Sequence, residues 1–129
     1  MSRSPFDLDA RTVVITGGAG LLGAAYAKAL VQAGASVVIA DIDLAAAEKV
    51  AHGLRTPSAC ALRLDVTDPA SIDNFVEETL GWFGTIDGLV NNAALDPKFD
   101  PAHQECRKLG FEDYPLELWN KEMAVNVTG

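Results

Sequence analysis

The clearest chemistry in this sequence lies in three glycines and one aspartate. Gly18-Ala19-Gly20-Leu21-Leu22-Gly23 fits the pattern G-x-G-x-x-G and follows directly on the apolar run Thr12-Val13-Val14-Ile15-Thr16. Glycine at these places permits a tight turn, close approach of backbone to a pyrophosphate, and close packing of a helix on a strand. Backbone N–H groups and the positive end of the helix dipole then face an anion. No lysine follows Gly23, which disfavours a nucleoside-triphosphate loop. Asp41 ends the second apolar run 18 residues beyond Gly23, close to the ~20 expected for an acid that accepts hydrogen bonds from an adenosine ribose. Ile42, the next residue, belongs to the same candidate set. A 2′-phosphate would meet the charges of Asp41 and Asp43, with no arginine or lysine near Gly18 or Ile42 to offset them, so NAD is favoured over NADP.

Other chemistry-bearing residues form weaker patterns. Asp96, Asp100, His103, Glu105 and Cys106 crowd one stretch, but their spacing matches no familiar ligand set, and no metal is expected. A flexible substrate-side loop from Asp96 to Asp113 is the better reading. Cys60 and Cys106 read as isolated, reduced thiols, and His52 as a residue at a solvated helix end.

Alternating strands and helices must position the glycine loop and Asp41. Strands are expected at Thr12 to Thr16, Ser36 to Asp41, Cys60 to Asp65 and Ile86 to Asn91. Between them, Gly20 to Ala33 shows helical spacing with Leu22, Ala25, Tyr26, Ala29 and Leu30. Asp43 is set to cap a helix over Leu44 to Gly53, and Asp68-Pro69 precedes a helix over Ser71 to Phe83. Ile72, Phe75, Val76 and Leu80 give that third helix its expected buried stripe. Tyr26 reads as core and Tyr114 as a loop residue, with a last helix from about Pro115. This alternation predicts an α/β fold, a partial Rossmann-type doubly wound parallel sheet of about four strands in the order 3-2-1-4. One incomplete dinucleotide-binding domain is expected over residues 1–129. An amide at Asn91, at the carboxyl end of the fourth strand, could tie neighbouring strand backbones together.

Composition narrows the partners. With 18 acidic and 10 basic residues the net charge is −8, which argues against nucleic acid and against an anionic membrane surface. A small-molecule partner is expected. No apolar segment reaches the roughly 20 residues of a membrane span, and the first ten residues lack the apolar core of a signal peptide, so a cytoplasmic setting is expected.

With these motifs in order, the chain resembles the short-chain dehydrogenase/reductase family over about residues 10–129. The likeness rests on Thr16-Gly17 at the glycine loop, Asp65-Val66 after the third strand, Asn91-Asn92-Ala93-Ala94 after the fourth, and Asn126 in Val125-Asn126-Val127-Thr128-Gly129. It implies a cofactor site made by Thr16, Gly17, Gly18, Gly20, Leu21, Leu22, Gly23, Asp41, Ile42, Asp65, Val66, Asn92, Ala93 and Ala94. Asn126 matches the asparagine of the family's catalytic tetrad. Two departures stand out. Leu21 occupies the place where one branch of the family has its middle glycine, and Ala94 replaces a glycine.

The resemblance implies hydride transfer to or from an alcohol or carbonyl, in which a tyrosine exchanges a proton and a lysine four residues later tunes it. The residues four before the five lysines are Ala24, Ala45, Ala94, Gln104 and Glu117, so no Tyr-x-x-x-Lys exists. The sequence is therefore expected to be a truncated member whose complete form would be a homo-oligomer. Three readings stay open: an NAD-dependent oxidoreductase, a dinucleotide-binding module without turnover, and a structural domain that binds no nucleotide.

Overall fold

The computed structural model describes residues 4–96 and 101–129, and their contacts group into two compact units, one up to Asn92 and one from Ala93 onwards. Lys98 and Asp100 lie outside the described residues.

The first unit is a four-stranded parallel sheet of β1 (Thr12–Thr16), β2 (Ser36–Asp41), β3 (Ala59–Arg63) and β4 (Gly88–Val90), ordered β3-β2-β1-β4. The expected order is thus the observed one. The strands alternate with α1 (Leu21–Gln32), α2 (Leu44–Gly53) and α3 (Pro69–Phe83). The two central strands are buried on both faces, as continuous β-branched runs require, and Val37 to Ala40 have no exposed surface.

Side-chain alternation divides the core into two layers. Val13, Ile15, Val37 and Ile39 pack with Ala27 of α1 and with Ala47 and Ala51 of α2. Val14, Val38, Ala40, Leu62 and Leu64 pack on the opposite face with Phe75 of α3. Helices on both faces make this a doubly wound sheet. The helix starts follow the expected chemistry. Asp43 accepts from the Ala46 N–H at 3.0 Å, and Asp68 accepts from the Ala70 N–H at 3.0 Å just ahead of Pro69.

Several expectations are corrected. Tyr26 is 40% exposed rather than core, because α1 packs through the small residues Gly23 and Ala27. In α3 the buried pair is Phe75 and Thr79, whereas Ile72, Val76 and Leu80 stay partly exposed. Thr79 tolerates burial because its Oγ1 donates to the Phe75 carbonyl at 2.8 Å. The third strand is Ala59–Arg63, not Cys60 to Asp65, and the fourth is shortened to Gly88–Val90.

In the second unit, the loop expected from Asp96 to Asp113 instead contains two 3₁₀ helices, Pro101–Lys108 with a break at His103, and Phe111–Asp113. The helix α4 (Leu116–Met123) follows and runs into a π-helical turn at Ala124–Thr128. Among the described residues no helix is long and apolar enough to cross a membrane.

Candidate functional site

The carboxyl ends of β1, β2 and β3 bring the glycine loop, Asp41 and Asp65 to one edge of the sheet, where open α/β sheets present their ligand crevice. The loop leaves β1 at Gly17 with a φ of +61°, a left-handed conformation that suits glycine. The Gly18 N–H donates to the Ala40 carbonyl at 3.1 Å, which holds the loop against β2. A Cβ on Gly18 would lie 2.7 Å from Ile39 Cγ2, and one on Gly23 would lie 2.6 Å from both the Gly17 oxygen and the Gly18 Cα. Gly20 differs. A Cβ there would approach nothing closer than the Gly17 oxygen at 3.4 Å.

The loop therefore separates the expected reasons for glycine. Gly17 makes the turn, Gly18 and Gly23 allow protein to pack on protein, and exposed Gly20 leaves space beside the start of α1. Gly20 is the residue that caps α1, and no side chain bonds to that helix end. An uncapped helix start beside open space suits an anionic group such as a pyrophosphate. Leu21 and Leu22 lie at this rim and are largely exposed.

Asp41 is bound into the same structure. Its Oδ2 accepts from the Ala19 N–H and its Oδ1 from the Asp43 N–H, both at 3.0 Å. Ile42 projects into solvent between them. One strand further out, the Leu64 N–H donates to the Asp41 carbonyl at 2.9 Å, which places Asp65 next to this corner. Asp65 Oδ1 accepts from the Thr67 N–H at 2.9 Å and the Thr67 hydroxyl at 2.7 Å, while the Asp65 N–H donates to Ser71 Oγ at 3.0 Å. The Thr67 hydroxyl, then its N–H, hold the Asp65 carboxyl below the ordinary carboxylate range. Val66 packs partly against the core layer under α3.

On the other side of β1, Thr16 and Asn92 form a clasp. The Asn92 N–H donates to Thr16 Oγ1 at 3.0 Å, and Asn92 Nδ2 donates to the carbonyls of Thr16 at 3.1 Å and Gly17 at 3.0 Å. The strand-tying amide is thus Asn92, not Asn91. Regular pairing ends at Val90, and it is Asn92 that lies within reach of β1, whereas Asn91 is exposed. Thr16 was read from sequence only as a motif position, and Thr67 was not singled out at all. For Thr67 the available signal was an aspartate two residues earlier, which favours a side-chain turn.

The second unit holds Ala93, Ala94 and Asn126. Asn126 Oδ1 accepts from the Leu95 N–H at 2.7 Å and its Nδ2 donates to the Leu95 carbonyl at 2.9 Å. The amide is spent on fixing backbone, and it sits in the π-helical turn. Tyr114 Oη donates to Glu122 Oε2 at 2.6 Å, and that carboxylate raises the phenol to about 12. This is the wrong direction for a proton donor tuned towards neutral pH. Phe111, Tyr114, Leu116 and Trp119 line an open apolar cavity of about 230 Å³. Cys60 and Cys106 are free thiols.

A parallel sheet with strand order β3-β2-β1-β4, a glycine loop after β1 and an acid after β2 define a doubly wound sheet of Rossmann type. The chain belongs to the short-chain dehydrogenase/reductase family, whose short chain dehydrogenase model matches residues 11–129. It is 47% identical over 122 residues to a sorbitol dehydrogenase of Cereibacter sphaeroides, covering 95% of this chain and 43% of that one. It is 40% identical over 123 residues to a 2,5-dichloro-2,5-cyclohexadiene-1,4-diol dehydrogenase of Sphingobium indicum, covering 94% and 45%. Among solved structures, a 3-ketoacyl-(acyl-carrier-protein) reductase from Brucella melitensis complexed with NADH superposes with a TM-score of 0.80 at 33% identity, covering 94% of this chain and 46% of that one. The chain spans less than half the length of these relatives.

Proposed function

We propose that this chain is the NAD-binding part of an oxidoreductase that interconverts an alcohol and a carbonyl compound. The observation that carries the reading is the corner formed by Gly18, Gly20, Gly23 and Asp41, with the Asp41 carboxylate 3.0 Å from the loop N–H of Ala19. The residues fit the cofactor. Gly20 leaves space for a pyrophosphate at the start of α1, and the ionisable Asp41 suits ribose hydroxyls while opposing a 2′-phosphate. A bound nicotinamide dinucleotide would supply the hydride chemistry, and this chain's part is to bind and orient it. Thr16 and Asn92 brace the loop from β4, and Asp65 and Val66 complete the proposed contact set of the first unit. Asn126 would act as a positioning residue through its hold on Leu95. The relatives' names support a secondary alcohol or polyol as the substrate class. A cytoplasmic setting and self-association of the complete protein belong to the same proposal.

One observation favours a second reading for these 129 residues taken alone. They contain no Tyr-x-x-x-Lys, so they would bind the dinucleotide without turning substrate over. Calorimetric titration of the folded chain with NAD and NADP tests the shared core of both readings. Saturable NAD binding, at least about tenfold tighter than NADP, is expected from the like-charge penalty at Asp41. No binding, or equal affinity for both, would overturn the NAD assignment.

A further inference from the structure

We infer that the cavity lined by Phe111, Tyr114, Leu116 and Trp119 is a binding site for a quaternary ammonium group, a small cation that carries alkyl groups and no N–H donor. The site belongs to the second unit alone, whatever the first unit binds. Local structure brings the four side chains together. The 3₁₀ turn Phe111–Asp113 supplies Phe111, and Tyr114 leaves that turn in extended backbone. Leu116 and Trp119 stand three residues apart on α4, and so on one side of it. Leu118 is the residue that α4 buries, which leaves Leu116 and Trp119 open to a ligand.

The charge around the cavity selects the ligand. Aromatic faces attract cations through the ring quadrupole. Tyr114 Oη donates to Glu122 Oε2 at 2.6 Å, which pushes electron density into its ring. The Glu122 carboxylate holds the phenol proton in place, and Asp96 acts on the phenol in the same direction, so the potential there is negative. From Phe111 to Glu122 the acids are Glu112, Asp113, Glu117 and Glu122, against Lys121 as the base. An anion is therefore disfavoured. A metal ion finds few donor atoms in this lining, and among the described residues no group of three His, Cys, Asp or Glu could hold one. A primary ammonium would strand N–H donors against apolar walls. A quaternary ammonium has no donor to strand, and its alkyl shell suits an apolar space of about 230 Å³.

The test titrates the whole chain with choline and with the neutral alcohol in which carbon replaces choline's nitrogen, a pair alike in shape and different in charge. Heteronuclear NMR of the backbone amides from Phe111 to Glu122 reads occupancy and place together. Saturable shifts are expected, with choline bound about tenfold more tightly than the alcohol, the scale of cation–π attraction from partly exposed rings. Phe111 is 87% exposed, so Phe111→Leu leaves the core intact. It should bring the ratio below about fourfold, while Phe111→Tyr keeps it. Glu122→Gln should weaken choline by about threefold and leave the alcohol unchanged. Equal affinity for choline and the alcohol would reduce the cavity to an apolar surface and overturn the inference. A ratio unchanged in Phe111→Leu would do the same, as would the lack of a saturable choline shift in a chain shown folded by circular dichroism.

Discussion

Asp41 and Ala19, 22 residues apart in sequence, are joined by a hydrogen bond of 3.0 Å from the Ala19 N–H to Asp41 Oδ2. The acid that would face the ribose thus also sets the conformation of the loop that would face the pyrophosphate. Asp41→Asn keeps the size and one acceptor but removes the charge. We expect it to weaken NAD binding by about tenfold and to narrow the preference over NADP, because repulsion of the 2′-phosphate is relieved. Paired titrations with the two dinucleotides check this. An unchanged NAD-to-NADP ratio would show that Asp41 holds the loop but does not read the ribose.

The glycines allow binding and folding to be separated. Gly23→Ala places a methyl 2.6 Å from backbone atoms of Gly17 and Gly18, which cannot move aside as a flexible side chain could. We expect it to destabilise the chain by about 2 kcal/mol or more, the scale of overpacking at a close contact. Gly20→Ala meets nothing nearer than 3.4 Å and should change stability by no more than about 1 kcal/mol. Its methyl would nonetheless stand beside the start of α1, where the pyrophosphate is proposed to lie. Urea melts together with NAD titration check the pair: Gly20→Ala should melt near the parent chain yet bind more weakly.

Much of the fold was legible because the two central strands are marked twice, by a β-branched run and by the glycine or aspartate at its end. Thr12–Thr16 and Ser36–Asp41 were read to the residue, and Asp43 and Asp68 cap the helices they were expected to cap. Which helix face is buried was less legible. Periodicity counts large apolar residues, but α1 approaches the sheet through Gly23 and Ala27, which leaves Tyr26 outside. In α3 the buried Thr79 looks polar until its bond to the Phe75 carbonyl is seen. At the site, the positions of Asp41 and the glycines follow from spacing. That Asn92 rather than Asn91 bridges to β1 depends on where pairing stops, a property of the sheet and not of the motif.

The sheet end opposite the crevice carries a pH-sensitive tie. Asp87 accepts from the Thr12 N–H at 2.9 Å and from Arg11 Nη1 at 3.1 Å, linking β4 to β1. The Thr12 N–H first, and then Arg11, hold its carboxyl below the ordinary range. A depressed carboxylate binds its proton more weakly when folded than when unfolded. Its contribution is therefore complete above the unfolded value of about 3.9 and is lost as pH falls through the folded one. Asp87→Asn should lower the melting temperature at pH 7 and leave a smaller gap to the parent chain at pH 3. A gap that stays constant across that range would mean that the tie contributes nothing through its charge.

Cys60 lies on β3, where burial alone raises its thiol from 9.0 to about 11. Only the thiolate reacts with alkylating reagents, so a rise of this size cuts the reactive fraction near pH 8 by about a hundredfold, apart from any steric screening. We expect iodoacetamide to label Cys60 very slowly in the folded chain and at an ordinary thiol rate in 6 M guanidinium, with mass spectrometry of peptides giving each rate. The ratio also reports the sheet's integrity. Cys60 pairs across from Val38 in β2, so a variant that loosens β3 should speed labelling before it changes the melting temperature appreciably. Fast labelling of Cys60 in the native chain would mean that β3 opens readily and that its pairing with β2 does not keep the thiol buried.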